Sequence, residues 1–580
     1  MGTETEEPND LPSTEKQTRF FLLVLVLVSI LQYSYSFGNG FVWDAKGVFV
    51  DDPTIRELKY LPGYFTEVSS IGDSARRTAQ GGTPVRSLAY YRPLMKVIHL
   101  AEYAAFGTNP IPYNVVNILL NALVVALCFL LVSSITGNSW VAFGASFLYA
   151  VNPARAEVVS WSYSDSYIVM AVLSLSSLYL YHKRRYFPAL LLFAFALLSH
   201  ETAVVLPMMV LFYELLVRRE RSFATAGRLF GFFLLTGLFL IVRRSVAGPA
   251  PVTDLAFIPL FNAVVVAVKR LVKSFFLPDA PVTIYQYRPG MFASMNGEIA
   301  LSYAVAVFLA VCGLFLRLKK RPLFFWYLWF FLFISIAFNV GRFGDYFIFE
   351  KLLYVASLGF CVVIAGLLES IGRKGLGLGL IAVLAVPQFG VTFHRTLFWT
   401  DTATYLEKAL EFAPDYSLGH YSLGIEYASR KQYDKAIGEY GKTLALRPDL
   451  QFVSGHISDL YNKKGYEYAF AGRYEEAMKE FENSLSIRPD QSGVYNNLGN
   501  IYSLRGLGGE ALNAWRKAVA LDPLNYEASF NLALAYEKKG DLGNALKYYR
   551  ACLGLYSQAS PSLLEKVRAL ERRKPGQRGR

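Results

Sequence analysis

Residues Asn497–Pro523 read NLGNIYSLRGLGGEALNAWRKAVALDP. Small residues stand at Gly499, Gly506 and Ala511, aromatic residues at Tyr502 and Trp515, and a proline closes the run at Pro523. This spacing describes a pair of helices. The small residues let the helices touch, and the aromatics fill the gaps between them. The pattern recurs upstream, first as Gly424, Tyr427, Ala436, Tyr440 and Pro448, then as Gly465, Tyr468, Gly472, Ala477, Phe481 and Pro489. A further copy, Ala533, Tyr536, Gly540, Ala545 and Tyr549, lacks its proline.

Prolines 414, 448, 489 and 523 are separated by 34, 41 and 34 residues. A period of 34 is that of the tetratricopeptide repeat. The seven extra residues before the second copy predict a longer inter-repeat loop. Trp399–Pro414 reads as the second helix of a partial copy. Such arrays stack into a solenoid whose concave face binds a peptide or protein segment; a spacer is the plainer alternative.

Upstream of this array the composition changes. The chain is 53% hydrophobic and 18% charged, and its apolar residues fall in blocks up to about residue 393. Blocks of this kind read as membrane spans. They lie at 20–37, 113–134, 139–158, 163–181, 186–199, 202–217, 227–242, 299–316, 323–340, 352–370 and 375–392. The fifth and sixth are shorter than the ~20 residues a spanning helix needs. Their turn, Ser199-His200-Glu201, is therefore expected below the membrane surface. The block 257–277 carries Lys269, Arg270 and Lys273 and reads as an outer-face amphipathic or re-entrant helix.

Basic loops at His182–Arg185, Arg218–Arg221, Arg317–Arg321 and Arg373–Lys374 set the orientation. The positive-inside rule puts all four in the cytoplasm, with the N-terminus inside and the repeats outside. The net charge of +13 falls largely in such loops, which argues against a nucleic-acid partner. The first span has an acidic flank (Glu4, Glu6, Glu7) and no cleavage pattern, so a retained span is expected rather than a signal peptide. Cys128, Cys312, Cys361 and Cys552 have no metal-ligand or disulfide spacing.

The domains expected are a cytoplasmic tail (1–19), a multi-span membrane domain (20–395) with long outer loops 38–112 and 243–298, a repeat domain (396–560) and a basic tail (561–580). The fold class is all-α: a polytopic helical bundle followed by an α-solenoid. The protein is expected in a membrane, multi-pass, with its repeats extracytoplasmic; in a prokaryote this is the plasma or inner membrane.

Ionisable residues at the outer face of such a bundle are the candidates for chemistry. Asp44 follows the first span, and a carboxylate there can act as general base toward an acceptor hydroxyl. Glu157, Asp165, Glu201 and Glu350 fall on the same side. Arg92, Arg155 and Lys351 are the cations that could hold a lipid-linked phosphate. Each has a plainer reading as an interfacial residue facing water.

Five short motifs run through this part: FVWDAKGVFVDDP (41–53), YRPL (91–94), NPARAE (152–157), SHET (199–202) and EKLLY (350–354). In this order, and ahead of a repeat array, they resemble the transmembrane and tetratricopeptide-repeat O-mannosyltransferases and their prokaryotic relatives, which are type C glycosyltransferases. The resemblance implies that fold, a polyprenyl-phosphate sugar as donor, a protein hydroxyl as acceptor, and Asp44 as catalytic base. The sequence departs from the family pattern at Ala45, where the family has a second acid. It departs again at Asn152, Ala154 and Arg155 in the histidine-bearing motif, and at Lys351, where the family has arginine. No cofactor is expected. Some relatives use a divalent metal, and the acids here, without tight ligand spacing, do not decide it. A non-catalytic repeat-bearing scaffold or assembly factor is the competing expectation. A transporter would show repeated halves, and none is visible.

Overall fold

The computed structural model describes residues 13–67, 69–70, 89–220, 222–247, 265–266, 268–269, 272–273, 284–287, 295–335, 346–555 and 561–573. These form two compact units, Met1–Pro414 and Asp415–Arg580. Both are helical, apart from two short antiparallel strand pairs in the first: Ser69–Ser70 with Ala89–Tyr90, and Ile284–Tyr287 with Tyr346–Phe349.

The main helices of the first unit are α1 (Ser13–Gln32), α2 (Pro93–Phe106), α3 (Pro110–Thr136), α4 (Ser139–Val151), α5 (Asp165–His182), α6 (Tyr186–Ser199), α7 (Phe223–Ala247), α8 (Gly297–Lys319), α9 (Arg321–Ser335), α10 (Leu353–Glu369), α11 (Lys374–Thr396) and α12 (Thr402–Phe412). Local chemistry marks their ends. Asn109 caps α3 by accepting from Ile111 N, Pro110 supplies its first turn, and Gly137 closes it at φ 67°. Asn138 then caps α4 through Trp140 N and Val141 N. One continuous apolar core joins these helices apart from α2 and α12, with Phe129, Leu131 and Val132 of α3 and Leu353, Leu358 and Val362 of α10 fully enclosed or nearly so.

Among the described residues four helical runs are long and apolar enough to cross a membrane: Pro110–Thr136, Phe223–Ala247, Gly297–Lys319 and Gly375–Trp399. The pair Pro153–Ser160 and Ser162–His182, bent by 100°, makes a fifth if counted as one span. The apolar helices Ser139–Val151, Tyr186–Ser199, Pro322–Ser335 and Leu353–Glu369 fall short of the length test singly. Among the described residues the count is thus four spans, or five with the bent pair, and not the eleven of the sequence reading. Of the block 257–277 only Val265, Val266, Val268, Lys269, Val272 and Lys273 are described, all helical; the rest of it and most of loop 243–298 lie outside the described residues.

The second unit consists of helix pairs: α13 (Ser417–Ser429) with α14 (Tyr433–Leu446), α15 (Phe452–Phe470) with α16 (Tyr474–Ile487), α17 (Ser492–Leu504) with α18 (Gly508–Leu521), and α19 (Tyr526–Lys538) with α20 (Leu542–Leu555). In each of the first three the repeat glycine faces the aromatic sixteen residues later. A Cβ at Gly424 would lie 2.5 Å from the Tyr440 ring, one at Gly465 2.7 Å from Phe481, and one at Gly499 2.6 Å from Trp515. The turns of the later pairs pass through Gly472, Gly506 and Gly540 at φ 74–78°, a conformation that costs glycine nothing. The first pair has Lys431 there, at φ 58°.

One expectation about the repeats is overturned. Six of the seven extra residues before the second copy lengthen α15 to 19 residues, against 13 in α13 and α17, and only one goes to the connection before it. Val453, Ile457 and Leu460 recur at helical spacing and are buried, so helix is the state that hides them. Past the array, α21 (Pro561–Arg573) buries Leu563, Val567 and Leu570 against the last pair, where only a basic tail was expected. It covers the apolar end that a terminal repeat leaves open. Residues 574–580 lie outside the described part.

Candidate active site

The backbone that leads into Asp44 is held in place. Asp44 opens the short helix Asp44–Lys46, directly after Trp43, whose backbone stands at φ 52°, ψ −121°. That region is costly for a bulky side chain and persists only where the surroundings enforce it. Here they do. Trp43 N donates to Thr402 Oγ1 at 2.9 Å, and the Trp161 indole donates to Val42 O at 2.9 Å. The Trp43 ring stacks on Trp161 at 6.0 Å and lies 5.8 Å from Tyr405. The aromatic set continues through Trp399, 5.8 Å from Trp161 and 4.2 Å from Tyr405.

Lys351 and Glu157 form the next group. The Lys351 ammonium lies 3.6 Å from Glu157 Oε1, its backbone N–H donates to Glu157 Oε2 at 3.2 Å, and its charge sits 4.8 Å over the Trp161 ring. Burial pushes this lysine below its ordinary value, and the Arg92 charge adds to that; Glu157 and then Asp44 pull the other way. The same balance places Asp44, Glu157 and Arg92 within electrostatic reach of one ammonium.

Arg92 is committed to Glu201. Its Nε and Nη2 donate to the two carboxylate oxygens at 2.9 and 3.0 Å, a fork-to-fork pair with side chains 12% and 23% exposed. Nη2 also meets His200 Nε2 at 2.9 Å, Nη1 reaches Ser166 Oγ at 3.4 Å, and the guanidinium lies 4.5 Å over the Tyr90 ring. Burial alone would raise the Glu201 carboxyl, but Arg92 outweighs it and holds the group well below the usual carboxylate range. His200 Nε2 faces the Arg92 donor, and its Nδ1 faces the Thr202 hydroxyl at 2.5 Å and takes the Thr202 backbone N–H at 3.2 Å. Burial and the Arg92 charge press His200 down to about 3, so it is neutral at working pH.

Asp165 begins α5 and bonds elsewhere. Its Oδ2 meets His99 Nε2 at 2.7 Å, on the inner face of α2. The pair is buried, and Glu102, one turn along α2, completes a set of three whose ligating atoms all lie within 4.8 Å of one another. His99 and Glu102 were missed in the sequence. Their spacing, i and i+3 on one helix, was a visible signal, but Asp165 stands 66 residues from His99.

Arg155 departs most from expectation. It is fully buried, with its guanidinium 3.9 Å over the Tyr149 ring and 5.0 Å from that of Tyr354. It donates to Tyr149 O and to Asn121 Oδ1, and Tyr354 OH donates to that same Asn121 oxygen. A delocalised guanidinium stacks on aromatic faces more readily than it hydrates, which draws it inward. The structure therefore does not bring Arg155 to the outer group. Glu350 opens the short helix Glu350–Leu352, and its side chain lies outside the described residues.

Two stretches match the tetratricopeptide repeat family, residues 458–491 and 496–560. The chain is 22% identical to a protein O-mannosyl-transferase of Caenorhabditis elegans, F38B6.6, over 74% of its own length and 63% of that protein. It is 22% identical to the mouse protein O-mannosyl-transferase TMTC3 over 74% of its length and 51% of that protein. The resemblance read from the five motifs therefore holds, and the chain spans between half and two thirds of the length of these relatives. The first tetratricopeptide domain of Spaghetti (RPAP3), solved with an HSP90 peptide, aligns with 20% of this chain at 21% identity and a TM-score of 0.19.

Proposed function

We propose that this chain is a membrane glycosyltransferase that moves a sugar from a polyprenyl-phosphate donor to an acceptor hydroxyl at the extracytoplasmic face. The Lys351–Glu157 pair, 3.6 Å apart beside the Trp161 ring on which Trp43, the residue before Asp44, is stacked, carries the reading. The likeness to proteins named O-mannosyl-transferase supplies the reaction class and favours mannose on a protein hydroxyl. In the reaction, the acceptor oxygen bonds to the anomeric carbon as the bond from that carbon to the phosphate oxygen breaks. The acceptor proton goes to the Asp44 carboxylate, and the polyprenyl phosphate leaves with the bonding pair. Lys351 faces the negative charge that grows on the leaving group. Glu157 positions Lys351, and the Arg92–Glu201 pair braces the site. The first unit, crossing the membrane eleven times, would carry the chemistry. The repeats, on the same outer side, would hold the acceptor protein.

The experiment is transfer of radiolabelled mannose from polyprenyl-phosphate mannose to acceptor protein by the full-length chain. Asp44→Asn keeps shape and removes the base, so transfer should fall by roughly 10²–10⁴-fold. The exposed Asp51→Asn is the control and should matter less. Equal transfer by Asp44→Asn and wild type would show that the base lies elsewhere, and no transfer by wild type would sink the reading.

A further inference from the structure

We propose that His99, Glu102 and Asp165 bind a divalent first-row transition ion, manganese or zinc, which ties the loop helix α2 to the start of α5. This site is separate from the base and leaving-group residues, and the argument for it does not depend on the proposed reaction.

The geometry supplies three ligands. His99 Nε2, a Glu102 oxygen and an Asp165 oxygen lie within 4.8 Å of one another. Neighbouring ligands in a tetrahedral shell with bonds of about 2.1 Å lie about 3.4 Å apart. Modest movement of these side chains would bring the three atoms to that spacing. Two of the three ligands come from one helical turn of α2 and the third from the first residue of α5, an arrangement that a single ion can lock.

The second observation is unmet bonding capacity. Asp165 is 3% exposed; its Oδ2 meets His99, but its Oδ1 is buried with no hydrogen-bond partner among the described residues. Glu102 Oε2 is buried and equally without one. A buried carboxylate oxygen left unsatisfied costs free energy, and two of them beside one imidazole leave negative charge uncompensated. A divalent ion with a neutral imidazole brings the cluster to zero net charge. The Phe49 ring stands 4.9 Å from the His99 ring and closes one side.

The donor set narrows the ion. Imidazole nitrogen suits zinc and its neighbours, and carboxylates suit manganese. An all-oxygen shell, as calcium prefers, is not what these residues offer. The consequence is positional. Arg92 is the N-cap residue of α2, and its Nη1 reaches Ser166, the residue after Asp165. An ion joining α2 to α5 would fix the Arg92–Glu201 pair in place.

The test uses the full-length protein in detergent, stripped with chelator and re-equilibrated with Mn²⁺ or Zn²⁺. Elemental analysis should find about one equivalent of ion per chain. The thermal midpoint should rise on loading and fall again with chelator. Glu102→Gln, the mildest change, should weaken retention at least tenfold, and His99→Ala should abolish it; each should lose the metal-dependent rise in midpoint. If His99→Ala does not fold, Glu102→Gln decides alone. Retention of neither ion by the wild type, or unchanged retention by Glu102→Gln, would overturn the site.

Discussion

Arg92 and Glu201, 109 residues apart in the chain, meet through two parallel hydrogen bonds of 2.9 and 3.0 Å. Most of the guanidinium fork is thereby used, with His200 and Ser166 taking much of the remainder. The guanidinium expected to grasp a phosphate is, in this structure, bonded to Glu201. Arg92→Ala should accordingly destabilise the protein by roughly 3 kcal/mol, the low end for breaking a buried pair. The double change Arg92→Met with Glu201→Gln should recover part of that. Thermal unfolding in detergent measures both. An unchanged midpoint with a raised KM for donor would return Arg92 to the phosphate.

The same pair sets an acid limit. The folded value of Glu201 lies below its ordinary 4.5, so its contribution to stability is fully present above about that pH. It should be lost only as pH falls further, through the folded value. The difference in midpoint between wild type and Glu201→Gln should thus stay constant from pH 8 to 5 and shrink below pH 4.

Lys351 sets an alkaline one. Burial lowers its value, so its positive charge is lost at a lower pH than that of an ordinary lysine. If that charge stabilises the leaving phosphate, transfer should decline on a basic limb that begins below the ordinary lysine value of 10.5. Lys351→Arg keeps the charge at all such pH values and should move the limb upward. A limb that stays in place in Lys351→Arg would assign it to another group.

In the repeats, Gly499→Ala should cost roughly 1–3 kcal/mol, the usual range for overpacking, because the new methyl meets Trp515. Trp515→Phe on that background should restore some of the loss, a coupling visible in a double-mutant cycle of unfolding midpoints.

Orientation is open to reporter fusions. Those after Arg185 and Lys374 should read cytoplasmic and those within the repeats external. A cytoplasmic repeat domain would contradict the proposed span count and move every candidate acid to the other side.

What could be read in advance divides along physical lines. The repeats were legible because Gly424 and Tyr440, or Gly499 and Trp515, lie close in sequence and meet within one helix pair. Asp44, Glu157, Glu201 and Lys351 were legible because short motifs carry them. The lengthening of α15 was not, since a count of residues between prolines cannot distinguish helix from loop. Arg155 was grouped with the outer cations on its motif alone, whereas the motif is buried apart from Glu157 and its guanidinium stacks on Tyr149. His99 and Glu102 were hidden because their significance depends on Asp165, a contact between distant segments that no local pattern announces.

The bond from Trp43 N to Thr402 Oγ1 has a practical consequence for anyone recombining these proteins. Composition alone invites a chimera joined near residue 395, where the last apolar block ends. Such a graft would replace Trp399, Thr402 and Tyr405, together with the Thr400 carbonyl that accepts from Gly40 N. It would take away the far wall against which the backbone before Asp44 is pressed. A crossover at Asp415 leaves that wall with its own loop, and it is the junction at which foreign repeats can be exchanged without disarming the carboxylate.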